Sequence, residues 1–331
     1  MPRARPLAGF LPFGGFLARQ ITVLICTRNR AAMLRDTLKT LLSPANTDSF
    51  DWELLVVDNA STDRTAAVCR DFQKKFPQHV RSIVETKVGK SNALNAGIAA
   101  ARGELLAFTD DDVYCNPDFL SQIRKLFAET AADAAQGRVL LDCEGGRPDW
   151  LDDTLALTAG FRDCGETVCE LEGTLFGLNM IVMAEVFRKI GGFAPRLGPG
   201  QVGLSEDTEL SFRMRQAGMR LIYAPNVIVH HRMPRSRLTR AFLRKRFFQE
   251  GRATAYRAAP PVSLLHFGLY VVKESVTREM HAMGHRRAKR PAMALREECE
   301  AFRQAGFFWQ HLRMRFGILA HLSPTDAVTA R

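Results

Sequence analysis

This 331-residue chain lacks the features that make several function classes easy to assign. It has no C-x-x-C pair and no zinc-like Cys/His spacing. Its seven cysteines, at 26, 69, 115, 143, 164, 169 and 299, are scattered. That excludes a disulfide framework and fits reduced thiols in a cytosolic protein. No window offers eighteen uncharged apolar residues, the minimum for a membrane-spanning helix. Residues 262–272 come nearest, and Lys273 and Glu274 end the run. Residues 1–19 mix Arg, Pro, Gly and Phe. Pro12, Gly14 and Gly15 break their apolar stretch, which makes a poor signal peptide; they are expected to form a flexible arm. No G-x-G-x-x-G follows the first apolar run, and no G-x-x-x-x-G-K-[ST] occurs anywhere. Dinucleotide-binding and P-loop readings therefore lose their main support. There is no internal repeat and no low-complexity run.

What the chain does have is an uneven charge. Hydrophobic content of 46% and charged content of 24% are ordinary for a soluble globular protein. Residues 232–331, however, hold 20 Lys and Arg against 7 Asp and Glu, whereas residues 1–231 hold 26 against 28. A tail this basic implies an anionic partner. Arg235, Arg237, Arg240, Arg244, Lys245 and Arg246 form one basic group; Arg286, Arg287, Lys289 and Arg290 form another. The pattern lacks the regular basic–aromatic alternation of stacking-based nucleic-acid recognition. An anionic membrane surface is expected, and no nucleic acid.

Residues 21–110 alternate between two periodicities. Residues 21–26, 52–57, 80–84 and 105–109 read as strands; 31–42, 62–75 and 91–101 read as helices. Ser61 is a candidate cap for the helix over 62–75. The small residues of 91–101 suit close packing on a sheet. Such alternation predicts an α/β fold of Rossmann-like type, with a mostly parallel central sheet flanked by helices. Ligands in open α/β sheets bind outside the carboxyl ends of the strands. Those ends carry Thr27-Arg28-Asn29, Asp58-Asn59 and Asp110-Asp111-Asp112, so three polar clusters converge on one crevice. An isolated aspartate triplet reads first as a solvated acidic turn. Crowded acids at a strand end, though, call for a cation between them, and a divalent ion on a phosphorylated ligand supplies one. Further on, 117–128 and 184–190 are helical, Ser205 opens a helix over 208–217, and 221–229 is a strand ending in His230-His231. The tail after Pro261 is helical to Phe316, with a basic break over 285–291.

The order of these clusters carries a resemblance. T-R-N-R at 27–30, V-V-D-N-A-S-T-D at 56–63, G-K-S-N-A-L-N-A-G at 89–97 and F-T-D-D-D at 108–112 resemble the nucleotide-binding half of family 2 glycosyltransferases. F-G-L-N-M at 176–180, I-G-G-F at 190–193, S-E-D-T-E-L at 205–210 and H-H-R at 230–232 resemble its acceptor half. The resemblance covers roughly residues 20–255. It implies a GT-A domain there, divided at 112/113 into nucleotide and acceptor halves, with a basic helical extension over 256–331. It also implies inverting transfer from a nucleotide-diphosphate sugar, with UDP-sugar first among the donors, to a glycan, a lipid-linked saccharide or a glycosylated metabolite. The setting would be cytoplasmic, on the inner face of the membrane.

Roles follow position by position. Asp58 matches the acid that contacts the nucleobase, and Cys26, Thr27 and Arg28 the first-strand loop on the nucleotide. Arg28 stands where tyrosine is commoner, so guanidinium replaces ring at that contact. Lys90 falls in the loop that covers the nucleotide. Asp110 and Asp112 fit the D-x-D pair that holds Mg²⁺ or Mn²⁺, with Asp111 as the spacer in the donor site. Asp207 matches the catalytic base and Glu206 its orienting neighbour. Gly177 and Asn179 resemble the strip under the donor sugar. His231, or His230 by strand parity, would reach the metal. Gln249 to Arg252 is similar to the Q-x-x-R-W of processive synthases, but Ala253 replaces the tryptophan; this implies single addition, with Arg252 near the diphosphate. A sugar-phosphate nucleotidyltransferase would need a glycine-rich loop where T-R-N-R stands. An inactive basic scaffold is argued against by intact Asp110, Asp112 and Asp207.

Overall fold

A computed structural model describes residues 20–43, 51–199, 201, 204–258 and 263–316. The arm expected over 1–19 lies outside them. The first part of the chain alternates as its periodicities predict. β1 (Ile21–Thr27) leads to α1 (Ala31–Leu41), β2 (Trp52–Asp58) to α2 (Thr65–Lys75), and β3 (Val80–Val84) to α3 (Lys90–Ala100). β4 (Leu105–Thr109), β5 (Val113–Cys115) and α4 (Phe119–Glu129) follow. Next come β6 (Ala134–Cys143), α5 (Asp153–Thr158), β7 (Cys169–Glu170), β8 (Asn179–Met183), α6 (Ala184–Ile190), α7 (Glu206–Gln216) and β9 (Leu221–Met233). Three helices close the described chain: α8 (Arg240–Arg257), α9 (Leu264–Arg287) and α10 (Pro291–Phe316).

The sheet has a parallel half, in the order β3-β2-β1-β4. It continues antiparallel through β8, β6, β9 and β5, and β7 pairs with β9. β1, β2 and β4 are buried on both faces, hence their continuous apolar runs. One face gathers Val23, Ile25, Leu54 and Val56; the other gathers Leu24, Val57 and Phe108. Gly97 of α3 lies so close to β1 that a Cβ there would sit 2.5 Å from Leu24 Cδ1. The small residues of α3 permit that approach, and adding a methyl group would cost about 1–3 kcal/mol in overpacking. The register decides the chemistry of the sheet edge. Thr27 pairs with Asp58, and Ile25 with Thr109, which puts Thr27 level with the aspartates that follow β4.

Some elements differ from expectation. α2 starts at Thr65, not 62, and Ser61 does not cap it: its Oγ accepts the Asn29 N–H at 2.9 Å. The helix has no side-chain cap; Asp63, two residues before its start, accepts from the N–H of Thr65 at 2.9 Å. β9 runs on through His230 and His231 to Met233.

The chain divides into two compact units. The first holds residues up to 142, 160–195 and 206–232; the second holds 143–159, 196–205 and 233 onward. In the second unit α10 packs against α8 and α9. α8 and α10 approach at paired glycines: a Cβ on Gly251 would lie 1.9 Å from Arg303 O, and one on Gly306 2.0 Å from Phe248 O. Part of the basic tail is used internally there. Arg244 and Arg286 both pair with the buried Glu298, and Arg246 donates to Thr158 O. No helix among the described residues is long and apolar enough to cross a membrane.

Candidate active site

At the carboxyl edge of the parallel half, two buried acids share one cation. Thr27 Oγ1 donates to Asp111 Oδ2 at 2.6 Å. Arg30 Nη1 donates to Asp111 Oδ1 at 2.8 Å and to Asp112 Oδ2 at 2.7 Å. Thr37 Oγ1 lies 2.9 Å from the carbonyl oxygens of both Asp111 and Val113, which fixes the turn from β4 to β5. Burial pushes Asp111 up to about 6, against the pull of Arg30 and with the push of Asp112. Burial alone would lower the Arg30 pKa, but Asp111 and Asp112 outweigh it and raise it. β5 pairs with β9 so that Val113 faces His231, and His231 Nε2 stands 3.6 Å from Asp112 Oδ1.

A second cluster gathers round Lys90, the first residue of α3. Its Nζ donates to Asp110 Oδ1 at 2.8 Å and lies 3.7 Å from Glu206 Oε1. Burial opposes the ammonium, but Asp110 and Glu206 raise its pKa well above the ordinary lysine range. Burial pushes Glu206 up to about 7; Lys90 opposes that rise and Asp207 adds to it. Asp207 sits in the first turn of α7. Its Oδ2 accepts the Gly177 N–H at 3.0 Å and its Oδ1 the Thr208 N–H at 2.7 Å, so its orientation is fixed by main chain. Cys26, Lys90, Asp110, Gly177, Glu206 and Asp207 line one narrow cleft, closed below by Leu94, Phe108, Met180 and Phe193. Burial raises the Cys26 thiol pKa, so the thiol stays protonated.

Two residues that the motif reading passed over build this edge. Arg30 is the cation the triplet needed, and it comes from the loop after β1. Asn59 spans the loop that opens α3: its amide donates to Glu85 O and Lys87 O, and its Oδ1 accepts the Gly89 N–H. Gly89 takes φ 134°, a conformation that L side chains rarely adopt, and so sets the entry of Lys90. Both lay inside strings already singled out. The signal for Arg30 was available: two buried acids demand a cation.

Not every expected residue joins the cleft. Asp58 is buried at the end of β2, where its Oδ1 accepts the Ser61 N–H. Arg28, which follows β1, is exposed. Asn179 is fully buried and its amide donates to Arg138 O and Val227 O; it ties β8 to β6 and β9 and does not face the cleft. This corrects its expected place under a sugar: β8 turns that side chain into the sheet, where Gly137 makes room for it. Arg252 belongs to the second unit, where its Nε donates to Gln310 Oε1 at 3.2 Å. His230 Nε2 lies 3.2 Å from Asn116 Oδ1, so alternation along β9 gives Asp112 to His231 alone.

No group of three His, Cys, Asp or Glu side chains among the described residues is arranged to hold a metal. Asp112 and His231 supply two adjacent donors, a carboxylate and an imidazole 3.6 Å apart. That pair fits a hard divalent ion that takes its other ligands from phosphate oxygens and water.

The model of the family described as Glycosyl transferase family 2 matches residues 22–191. An uncharacterized glycosyltransferase of Nostoc sp. is 33% identical over 108 residues, 33% of each chain. The succinoglycan biosynthesis protein ExoM of Rhizobium meliloti is 25% identical over 236 residues, 70% of this chain and 72% of ExoM. The chain spans about a third to a half of the first curated relatives it matches. Among solved structures, the mannosyltransferase PcManGT of Pyrobaculum calidifontis, in complex with GDP-Man and Mn²⁺, superposes with a TM-score of 0.55 at 19% identity. That match covers 96% of this chain and 80% of PcManGT. The likeness shows the GT-A fold, with its mixed sheet and flanking helices.

Proposed function

Because the chain belongs to glycosyl transferase family 2, we propose that it is an inverting glycosyltransferase. The donor would be a nucleoside-diphosphate sugar, UDP-sugar first, and the acceptor a hydroxyl of a glycan or lipid-linked saccharide. One observation carries this reading: the Asp207 carboxylate is held in fixed orientation by main-chain N–H groups in a cleft that also contains the ammonium of Lys90. Asp207 takes the proton of the acceptor hydroxyl as its oxygen bonds to the anomeric carbon. The bond from that carbon to the diphosphate breaks on the opposite side, and the nucleoside diphosphate leaves. Lys90, with Asp110 and Glu206 beside it, places positive charge where the departing diphosphate accumulates negative charge. Glu206 holds Lys90 from the other side. Asp58 and Thr27, at the ends of β2 and β1, are suited to the nucleoside. Asp112 and His231, with Asp110, would hold Mg²⁺ or Mn²⁺. When bound, the ion supplies charge neutralisation on the diphosphate. PcManGT, solved with GDP-Man and Mn²⁺, supports both donor class and metal.

The test is a panel of UDP-, GDP- and dTDP-sugars with candidate saccharide acceptors, read by NMR. Released nucleoside diphosphate and a product of inverted anomeric configuration are expected. Retained configuration, or no release from any donor, would contradict the assignment.

A further inference from the structure

α9 carries two faces with opposite character. Inward, Val271 and Ala282 are buried, and the Phe267 ring meets Phe307 and Phe308 of α10. Outward, Leu265, Leu269, Val272, Val276, Met280 and Met283 recur at intervals of three and four residues, which places them in one stripe. They are 73, 61, 63, 58, 61 and 43% exposed. A helix already packed on its inner side has no core use for six outward apolar residues, and a contiguous exposed stripe of this kind marks an interaction surface. Lys273 is exposed at its border, and Arg287, Lys289 and Arg290 are exposed at its end. Arg286 is held by Glu279 and Glu298, but Arg287, Lys289 and Arg290 have no carboxylate partner among the described residues.

We propose that this face of α9 lies in the surface of an anionic lipid bilayer. The stripe would sit among the headgroups and upper acyl chains, and the cations at the helix end would meet lipid phosphates. Charge decides the occupant. Residues 232–331 carry 20 Lys and Arg against 7 Asp and Glu, so a second copy would bring like charge to like. An anionic leaflet attracts the same residues. The inference does not depend on the sugar-transfer reading, because lipid binding is measured without donor.

The test is co-sedimentation of the full chain with neutral phosphatidylcholine vesicles and with vesicles containing phosphatidylglycerol. Salt-sensitive binding to the anionic vesicles alone is expected. Leu269→Ser with Val276→Ser should weaken that partition by about tenfold or more. Both residues are exposed, so circular dichroism and the melting temperature should not change. Neutralising Arg287, Lys289 and Arg290 to Ser should weaken it by roughly fivefold per cation. Equal binding to both vesicle types, no binding to either, or full binding by the Leu269→Ser/Val276→Ser variant would overturn the proposal. So would a lipid-free dimer in sedimentation velocity that the same variant dissociates, since a second copy would then cover the stripe.

Discussion

In the first unit Asp111, Asp112, Glu206 and Asp207 are 2–7% exposed; in the second, Leu265, Leu269, Val272 and Val276 are 58–73% exposed. The two regions reverse the usual placement of charge and apolar surface in opposite senses. A buried carboxylate survives only with a partner, and unpaired it would cost several kcal/mol. Here Arg30 and Lys90 are the partners. Stability alone gives no reason to keep four such acids at one sheet edge, whereas binding a diphosphate and moving a proton do. The exposed stripe on α9 teaches the complementary lesson: apolar area left in water is set aside for a surface outside the chain.

The contrast can be broken at several points. The largest effect should come from removing divalent metal. Chelation is expected to abolish nucleotide release, and Mn²⁺ or Mg²⁺ to restore it, a change of about a hundredfold or more. Release that is indifferent to chelator would mean that Lys90 and Arg30 alone neutralise the diphosphate. Arg30→Met comes next, leaving Asp111 and Asp112 without the cation they share. A fully buried pair would lose about 3–5 kcal/mol, and the 36% exposure of Arg30 reduces that to about 2–3 kcal/mol in urea denaturation. An unchanged midpoint would show that the acids do not need the arginine.

Gly177→Ala should separate folding from function. The new Cβ would sit 3.8 Å from both Asp207 Oδ2 and Lys90 Nζ, an ordinary contact, so the melting temperature should hold. The methyl group narrows the cleft, and the donor KM should rise about tenfold. The smallest effect concerns pH. Glu206 is raised from its ordinary 4.5 to about 7, chiefly by burial. The folded state therefore holds that proton more tightly than the unfolded chain. Its contribution is fully present below about 4.5 and is lost as pH rises through about 7. Glu206→Gln removes this slope, so the variant should gain on the wild type in thermal melts between pH 5 and pH 8. A constant difference across that range would refute the burial argument.

Much of the parallel half was legible in the sequence, because strands buried on both faces and amphipathic helices leave opposite periodicities. Of the antiparallel half, the strand over 221–229 was legible and became most of β9, but its neighbour β6 was not. β6 opens Ala134-Ala135-Gln136-Gly137-Arg138, with none of the β-branched residues that announce a strand, and it exists through its pairing with β8. α8 begins with Arg240 and carries Arg244, Lys245 and Arg246 in its first two turns, so its apolar positions form no single stripe. The acids of the site were readable as motifs. Of their counter-charges, Lys90 was readable and the need for a cation beside the triplet was too, but its identity as Arg30 was not, because Arg30 reaches Asp111 across 81 positions of sequence and the strand register brings them together. Asn179 shows the reverse: its motif suggested a ligand contact, and its place in the sheet turned the amide inward.

The central claim is that Asp207 is the base of a sugar-transfer site. It is tested most directly by Asp207→Asn, with donor affinity measured by calorimetry and transfer measured under the same conditions. The amide keeps the size of the side chain and an oxygen for the Gly177 N–H, but it cannot take a proton. The account predicts donor affinity within about twofold of wild type and transfer reduced by about 10²–10⁴-fold. Transfer at the wild-type rate would contradict it.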